Sequence, residues 1–149
     1  MLGIARFRSF STSSISRNLA RVQHKVPEWS APAVFENKIT NFKSTDFNNK
    51  WLVLFFYPLD WTFVCPTEII AFSESADKFK TLNCQVAGVS IDSQFSHLAW
   101  INTSRRKGGL GNLNIPLIAD VTREISAKFG VLVDHGPDKY LWFDVGVLH

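Results

Sequence analysis

Residues 51–68 read WLVLFFYPLDWTFVCPTE, and this stretch decides the fold. Its first seven residues are all apolar and end at a proline, which predicts a short strand that is buried on both faces. Apolar residues recur at helical spacing after Pro66, and proline suits the first position of a helix because its missing N–H would be unpaired there. The stretch therefore predicts a buried strand, a loop and a helix, with Cys65 at the N-cap of that helix.

Outside this stretch, apolar runs and helical spacing alternate along the chain. Further strands are predicted at residues 85–91, 115–119, 140–143 and 147–148. Helices are predicted at residues 93–102 and 121–129. Residues 26–50 are polar and irregular in pattern, and residues 104–111 are predicted as a surface loop. This alternation predicts the α/β class, with a central mixed sheet flanked by helices.

The sequence of the helix predicted at residues 93–102 indicates an N-cap and a set of candidates for the inner face. Ser93 is expected to cap its first turn. We expect the inner face to include Phe95, Leu98 and Ala99, with Trp100 and Ile101 as further candidates.

Cys65 lies where a helix start changes the chemistry of a thiol. Unpaired backbone N–H groups and the positive end of the helix dipole stabilise a thiolate, which is the reactive form. A thiolate attacks a peroxide O–O bond and becomes a sulfenic acid. A lone cysteine is more often a buried apolar residue, yet a helix start favours Ser, Thr, Asp or Asn in this position. We therefore predict that Cys65 is a catalytic nucleophile and that Cys84 has a packing role.

Thr62 and Pro58 precede Cys65 at spacings that suit a peroxide site. Thr62 lies three residues before Cys65, so a tight turn brings its hydroxyl near the sulfur, where it can orient a hydroperoxide for attack. Pro58 restricts the loop and presents an apolar wall without an N–H group. These residues predict a thiol peroxidase that reduces hydrogen peroxide and organic hydroperoxides.

Charge and composition exclude several other classes of protein. The chain of 149 residues carries a net charge of +3, but residues 1–25 hold five basic and no acidic residues, which leaves a net charge of −2 on residues 26–149. That body lacks the basic surface on which nucleic-acid binding depends. No apolar run approaches the roughly 20 residues that span a membrane, and two cysteines cannot form a Cys-ligated metal site. We predict no cofactor, no metal, no nucleic-acid partner and no membrane association.

Residues 1–25 are rich in arginine and serine and contain no acidic residue. This composition is typical of an organelle transit peptide, and the segment lacks the uninterrupted apolar core of a secretory signal. A disordered basic tail is the alternative. We expect residues 1–25 to direct the chain to the mitochondrial matrix and residues 26–149 to form one domain.

The segment around Cys65 closely resembles the active-site segment of the typical two-cysteine peroxiredoxins, in which a Pro-x-x-x-Thr-x-x-Cys pattern is highly specific. The resemblance covers roughly residues 50–133. It implies a thioredoxin-like fold, with Cys65 as the peroxidatic cysteine, Thr62 and Pro58 as its active-site partners and Glu68 in the outer hydrogen-bond network. The GGLG sequence at residues 108–111 matches a motif linked in this family to sensitivity toward overoxidation.

The same resemblance implies partners and a cellular role. It implies thioredoxin or another thiol as the reductant, and subunits that form a homodimer or a higher ring. It also implies a role in antioxidant defence and redox homeostasis.

The chain departs from the family pattern toward its C-terminus. The family places an active-site arginine near residues 140–143, but no arginine follows Arg123, and the sequence ends before the arm that carries the resolving cysteine. The resemblance therefore predicts a C-terminally truncated domain, incomplete in fold, and a non-turnover redox sensor or subunit-binding form is the alternative function. A thioredoxin-like disulfide oxidoreductase is disfavoured because Glu68 stands where a Cys-x-x-Cys pattern needs its second cysteine.

Overall fold

The structure is a computed structural model that describes residues 19–20, 24–62, 65–135, 138–141 and 144–148. Its strands are β1 Ser30–Phe35, β2 Lys38–Lys43, β3 Trp51–Phe56, β4 Cys84–Ser90, β5 Leu117–Ala119, β6 Leu132–His135, β7 Asp138–Leu141 and β8 Asp144–Leu148. Its α-helices are α1 Cys65–Glu74, α2 Ala76–Thr81, α3 Gln94–Asn102 and α4 Glu124–Phe129. Among these residues, no helix combines the length and the apolar character needed to cross a membrane.

Six of the strands form one mixed sheet in the order β2-β1-β5-β4-β3-β8. Strands β3, β4 and β5 pair in parallel, whereas β1 pairs antiparallel with both β2 and β5, and β8 pairs antiparallel with β3. Strands β6 and β7 form a separate antiparallel pair. The mixed α/β sheet predicted from the sequence is therefore confirmed.

Strand β3 is buried on both faces, as its apolar run predicts. Val53 and Phe55 point into one core cluster together with Ile69 of α1 and Trp100 of α3. The alternate side chains of the strand enter a second cluster on the opposite face, which also contains Ile125 of α4. Because successive side chains of a strand point to opposite faces, helices on both faces of the sheet cover this strand.

The prediction that residues 26–50 are irregular is wrong. Strands β1 and β2 form a hairpin in which Phe35 pairs with Lys38, so the connection has two residues. Glu36 and Asn37 have φ values of 50° and 59°, which is the left-handed backbone that two-residue hairpin turns require. The polar side chains of β2 stay largely exposed because it is an edge strand. Since the strand has no apolar run, a search for such runs does not detect it.

The helical segments differ in detail from their predicted bounds. The predicted helix after Cys65 is two helices, α1 and α2, separated at Ser75, and α1 begins at Cys65 itself. The predicted helix at residues 121–129 starts later, at Glu124, and ends at Phe129, directly before Gly130, which has a φ of 72°. Residues 142–143, which complete one predicted strand, lie outside the described residues.

The structure confirms the predicted N-cap of α3, but the inner face of this helix differs from the predicted one. The Ser96 backbone N–H donates to Ser93 Oγ at 3.2 Å. Phe95 is 67% exposed, whereas His97, Trp100 and Ile101 are buried. The buried face of α3 therefore begins at His97 and continues at the positions three and four residues later. A search for apolar residues alone does not include His97 in this face.

Candidate active site at the start of α1

The predicted nucleophile lies at the junction between β3 and α1. Strand β3 ends at Phe56, a loop follows its carboxyl end, and Cys65 is the first residue of the ten-residue helix α1. Glu68 lies in the first turn of α1, where negative charge is favoured by the helix dipole. The backbone thus places Cys65 one position beyond the predicted N-cap, inside the first turn, where backbone N–H groups have no partner within the helix.

Thr62 and Pro58 lie in the loop that leads to this helix. The Thr62 hydroxyl donates to the Leu59 carbonyl oxygen at 3.3 Å, which closes a turn within the loop. Both Thr62 and Pro58 are half-buried. Phe63 and Val64 lie outside the described residues, so the contacts of Thr62 and Pro58 with the sulfur remain predictions.

A buried polar network anchors the start of this loop. The Tyr57 hydroxyl donates to Asp60 Oδ1 at 3.0 Å, and His97 Nδ1 lies 2.8 Å from Asp60 Oδ2. His97 Nε2 lies 3.3 Å from the carbonyl oxygen of Ile118 in β5. Both ring nitrogens of His97 thus face oxygen atoms, one of a carboxylate and one of a backbone carbonyl. The network joins the loop after β3 to α3 and β5.

The loop also contacts the end of β4. The Asp60 backbone N–H donates to Asp92 Oδ2 at 2.6 Å, and the Asp92 N–H donates to Ser90 Oγ at 3.0 Å. The carboxyl ends of parallel strands meet at one edge of a sheet, so the two loops are neighbours there. Asp60 therefore holds the loop through both its side chain and its backbone.

Sequence reasoning missed Asp60 and His97. Asp60 follows an apolar strand in a loop, where an aspartate is usually solvated. His97 lies three residues before Trp100 on α3, and that helical spacing was the signal that could have placed it on the inner face.

The glycine segment at residues 108–111 is tied to the same region. The Trp100 indole N–H donates to the Gly108 carbonyl at 2.9 Å, and Leu110 is fully buried. A Cβ atom on Gly109 would lie 2.0 Å from the Thr103 carbonyl oxygen, so only glycine fits there. The predicted surface loop is thus anchored in the core at Leu110.

An ion pair links this segment to the far end of α1. Arg105 Nη1 lies 2.9 Å from Glu74 Oε1, and Arg105 Nε donates to the Leu110 carbonyl at 3.1 Å. Glu74 is the last residue of α1. Arg105 therefore connects the last residue of α1 to the glycine segment.

Cys84 has the buried setting predicted for it. It is 8% exposed, is the first residue of β4 and belongs to the core cluster that contains Phe55. Burial raises the pKa of the Cys84 thiol, which lowers its thiolate fraction at neutral pH. Cys84 is therefore a poor nucleophile.

In the part of the chain that the structure describes, no three His, Cys, Asp or Glu side chains group to hold a metal.

Residues 22–144 match the family model described as the AhpC/TSA family. The chain belongs to the AhpC/TSA family. Peroxiredoxin-2 of Bos taurus is 60% identical over 113 residues, which cover 76% of this chain and 57% of that protein. The mitochondrial thioredoxin-dependent peroxide reductase of Homo sapiens is 52% identical over 132 residues, which cover 89% of this chain and 51% of that protein. The chain therefore spans little more than half the length of these relatives.

Solved structures of the family share this fold. The reduced 2-Cys peroxiredoxin of Plasmodium vivax aligns with a TM-score of 0.73 at 42% identity, over 80% of this chain and 62% of that one. Thioredoxin peroxidase I of Plasmodium yoelii aligns with a TM-score of 0.78 at 38% identity, over 85% and 72% of the two chains. The resemblance to two-cysteine peroxiredoxins and the thioredoxin-like fold are thus confirmed.

The Tyr57 hydroxyl gives this network a measurable pH dependence. Burial raises the pKa of Tyr57 well above its ordinary value, and the negative charge of Asp60 raises it further. The unfolded chain releases this proton above about pH 10, whereas the folded chain retains it. The free energy of unfolding should therefore fall as pH rises above about 10, by up to about 1.4 kcal/mol per pH unit.

Urea unfolding between pH 9 and 11 tests this expectation. The Tyr57→Phe variant should show a shallower fall than the parent chain, because it has no proton to release at this position. In a Tyr140→Phe background, Tyr57 is the only tyrosine, and absorbance at 295 nm should show no ionisation of it before unfolding. Equal slopes for the parent chain and Tyr57→Phe would contradict the expectation.

Proposed function

We propose that this chain is a thiol peroxidase in which Cys65 reduces hydrogen peroxide and organic hydroperoxides in antioxidant defence and redox homeostasis. The observation that carries the proposal is the position of Cys65 as the first residue of α1, directly after the loop that follows a buried strand. Backbone N–H groups of a first helical turn stabilise a thiolate at this position. Membership of the AhpC/TSA family supports the same chemistry.

The proposed reaction is a two-electron displacement at oxygen. The Cys65 thiolate attacks the terminal oxygen of the peroxide, so that an S–O bond forms as the O–O bond breaks. The sulfur is oxidised to a sulfenic acid, and the peroxide is reduced. The leaving hydroxide or alkoxide takes up a proton from water and departs as water or an alcohol.

Thr62, Pro58 and Glu68 have supporting roles in this proposal. The Thr62 hydroxyl uses its proton on Leu59, so its lone pairs are available to accept from a hydroperoxide O–H. Pro58 provides an apolar wall at the start of the loop. Glu68 is half-buried in the first turn of α1, and its proposed place is in the outer hydrogen-bond network. The contact between Asp60 and His97 anchors the loop to α3.

A thiol completes the cycle. A thiol of thioredoxin, or another thiol such as glutathione, attacks the sulfenic acid, so that an S–S bond forms and water leaves. A second thiol then releases Cys65 from the mixed disulfide. The human relative is named as thioredoxin-dependent, which supports thioredoxin as the reductant.

Peroxide consumption by cysteine variants tests this chemistry. The parent chain should consume one equivalent of hydrogen peroxide without a reductant and several with thioredoxin, thioredoxin reductase and NADPH. Cys65→Ser should consume none, because the hydroxyl is not a thiolate, and Cys84→Ser should match the parent chain.

Two outcomes contradict different parts of the proposal. Consumption by Cys65→Ser at the parent rate would show that Cys65 is not the nucleophile. One equivalent consumed with no turnover on either thioredoxin or glutathione would overturn the proposed cycle and favour a non-turnover redox sensor.

The loop before α1 and the exposed side of α3 are proposed as surfaces through which subunits associate. Leu59 and Trp61 of the loop are about half exposed, at 47% and 49%, and Phe95 on α3 is 67% exposed. The Trp61 ring lies 6.1 Å from that of Trp100, which also belongs to α3. Exposed apolar side chains are typical of interfaces, and a second copy of this chain, in a homodimer or a higher ring, is the proposed partner for those of the loop and of α3.

Light scattering after size-exclusion chromatography tests this surface. Phe95→Arg should shift the chain to a smaller species, because an arginine cannot enter an apolar interface without losing hydration. Leu82→Arg is the matched control, since Leu82 is equally exposed, at 71%, but lies at the end of α2. A mass for Phe95→Arg equal to that of the parent chain, or a monomeric parent chain, would contradict the proposal.

Residues 1–25 are proposed to target the chain to the mitochondrial matrix. Most of this segment lies outside the described residues, so the proposal rests on its Arg-rich, acid-free composition. The mitochondrial name of the human relative supports it.

A reporter fusion tests the targeting segment. Residues 1–25 fused to a fluorescent protein should be imported into the mitochondrial matrix. Replacing the four arginines of the segment by glutamine should abolish import, because transit peptides depend on positive charge. Replacing its serines by alanine keeps the charge and is the control. Import of the arginine-free fusion at the parent level would contradict the proposal.

A further inference from the structure

A row of oxidisable aromatic rings leads from the surface to the buried network that anchors the active-site loop. The Trp61 ring lies 6.1 Å from that of Trp100, and the Trp100 ring lies 6.3 Å from that of Tyr57, measured between centroids. These distances lie within the range of interacting aromatic pairs. Trp61 is 49% exposed, whereas Trp100 and Tyr57 are fully buried. The row therefore has one end in solvent and the other at the Asp60 carboxylate.

The chemistry of these rings suits the transfer of single electrons. Indole and phenol groups are among the side chains most easily oxidised by one electron, whereas the phenylalanine ring resists such oxidation. An electron moves fast between neighbouring rings, because the rate of transfer falls exponentially with distance. The Phe55 and Phe72 rings extend the row beyond Tyr57, at 6.1 Å and then 4.8 Å, but they cannot carry an electron vacancy further. A vacancy that enters at Trp61 therefore ends at Tyr57.

The hydrogen-bond partners of the two buried rings set the direction of transfer. The Trp100 indole N–H donates to the Gly108 carbonyl oxygen at 2.9 Å, and a backbone carbonyl does not take up a proton at ordinary pH. The Tyr57 hydroxyl donates to Asp60 Oδ1 at 3.0 Å, and a carboxylate does take up a proton. An oxidised Trp100 ring thus keeps its proton and remains a strong oxidant, whereas an oxidised Tyr57 ring releases its proton and is stabilised as a neutral radical.

We propose that Trp61, Trp100 and Tyr57 form a relay that carries one-electron oxidation from the surface to a tyrosyl radical at Tyr57. A radical oxidant in solution takes one electron from the Trp61 indole and is reduced to its anion. Trp61 regains an electron from Trp100, and Trp100 regains one from Tyr57. Tyr57 passes its hydroxyl proton to Asp60 Oδ1. The products are one phenoxyl radical, one protonated carboxyl group and the reduced oxidant.

The relay is an activity separate from the proposed peroxide reduction. It moves single electrons and uses no thiol, whereas a thiolate attacks oxygen with an electron pair. Its substrates are small radical oxidants, the class of molecule that arises when a peroxide O–O bond breaks into two radicals. The radical that results is shielded from solvent, because Tyr57 is fully buried.

Pulse radiolysis of the full chain in the presence of azide tests the relay. The azidyl radical oxidises tryptophan selectively, and the absorption band of the tryptophanyl radical should decay as that of the tyrosyl radical grows. A Tyr140→Phe background leaves Tyr57 as the only tyrosine, so the growth reports on this position alone. The growth should be first-order and independent of protein concentration, and Tyr57→Phe should abolish it.

Two exposed tryptophans give a matched pair of variants in this background. Trp61→Phe removes the entry of the relay and should remove the first-order growth of the tyrosyl band. Trp51→Phe is the control and should keep this growth. Trp51 is similarly exposed, at 45%, but it begins β3 and lies roughly 20 Å along the strand from Tyr57. Trp100→Phe keeps a buried ring but interrupts the row, and it should behave as Trp61→Phe does; Trp61→Phe keeps the test decisive if Trp100→Phe fails to fold.

Two further variants control for proton transfer and for access to the relay. Asp60→Asn keeps the shape of the side chain, but its amide does not take up a proton, so the tyrosyl radical should form more slowly although the row of rings is intact. Phe95→Arg is measured beside the parent chain, because subunit association through the loop would shield Trp61 from the azidyl radical.

Three outcomes would overturn the proposal. They are no growth of the tyrosyl band in either the parent chain or Phe95→Arg, growth in Trp61→Phe at the parent rate, and a rate of growth that depends on protein concentration. Cys65→Ser should still form the tyrosyl radical, because no thiol takes part in the relay, although this variant should consume no peroxide. The fate of the relay and that of the peroxidase proposal are therefore read separately.

Discussion

The burial of β3 on both faces is the constraint on which the rest of the structure depends. Its side chains alternate between two core clusters, so a helix layer has to cover each face of the sheet. Pairing in parallel with β4 on one side and antiparallel with β8 on the other fixes the strand in place. Whatever follows its last residue is therefore held at the carboxyl edge of the sheet, and that is where the chain leads into Cys65.

A polar junction within this apolar frame holds the loop after β3. A buried carboxylate is stable only when it is hydrogen-bonded, and Asp60 has both the Tyr57 hydroxyl and the His97 ring as partners. His97 in turn contacts β5, and Trp100 on the same helix holds the glycine segment. Loop, helix α3 and glycine segment are thus linked through one set of contacts. A loop fixed in this way suits chemistry that depends on the placement of a thiolate and a hydroxyl.

The two ends of β3 have different chemical character. Its carboxyl end carries a dense hydrogen-bond network whose donors find acceptors. Its amino end lies beside a cavity lined by Trp29, Phe47 and Lys50, among others. The six residues of the strand separate this cavity from the loop that leads to Cys65.

The sequence by itself determined the features whose signals are local. The apolar run of β3, the helix that starts at Cys65, the cap at Ser93 and the buried setting of Cys84 were predictable, because each depends on neighbouring residues. The sequence also carried the motif that identifies the family. Only the tertiary structure decided which polar residues meet: Asp60 and His97 lie 37 positions apart, and strand β2 has no apolar run to mark it. Partners that meet through folding leave no trace in either segment, so the contact between Asp60 and His97 could be found only from the packed chain.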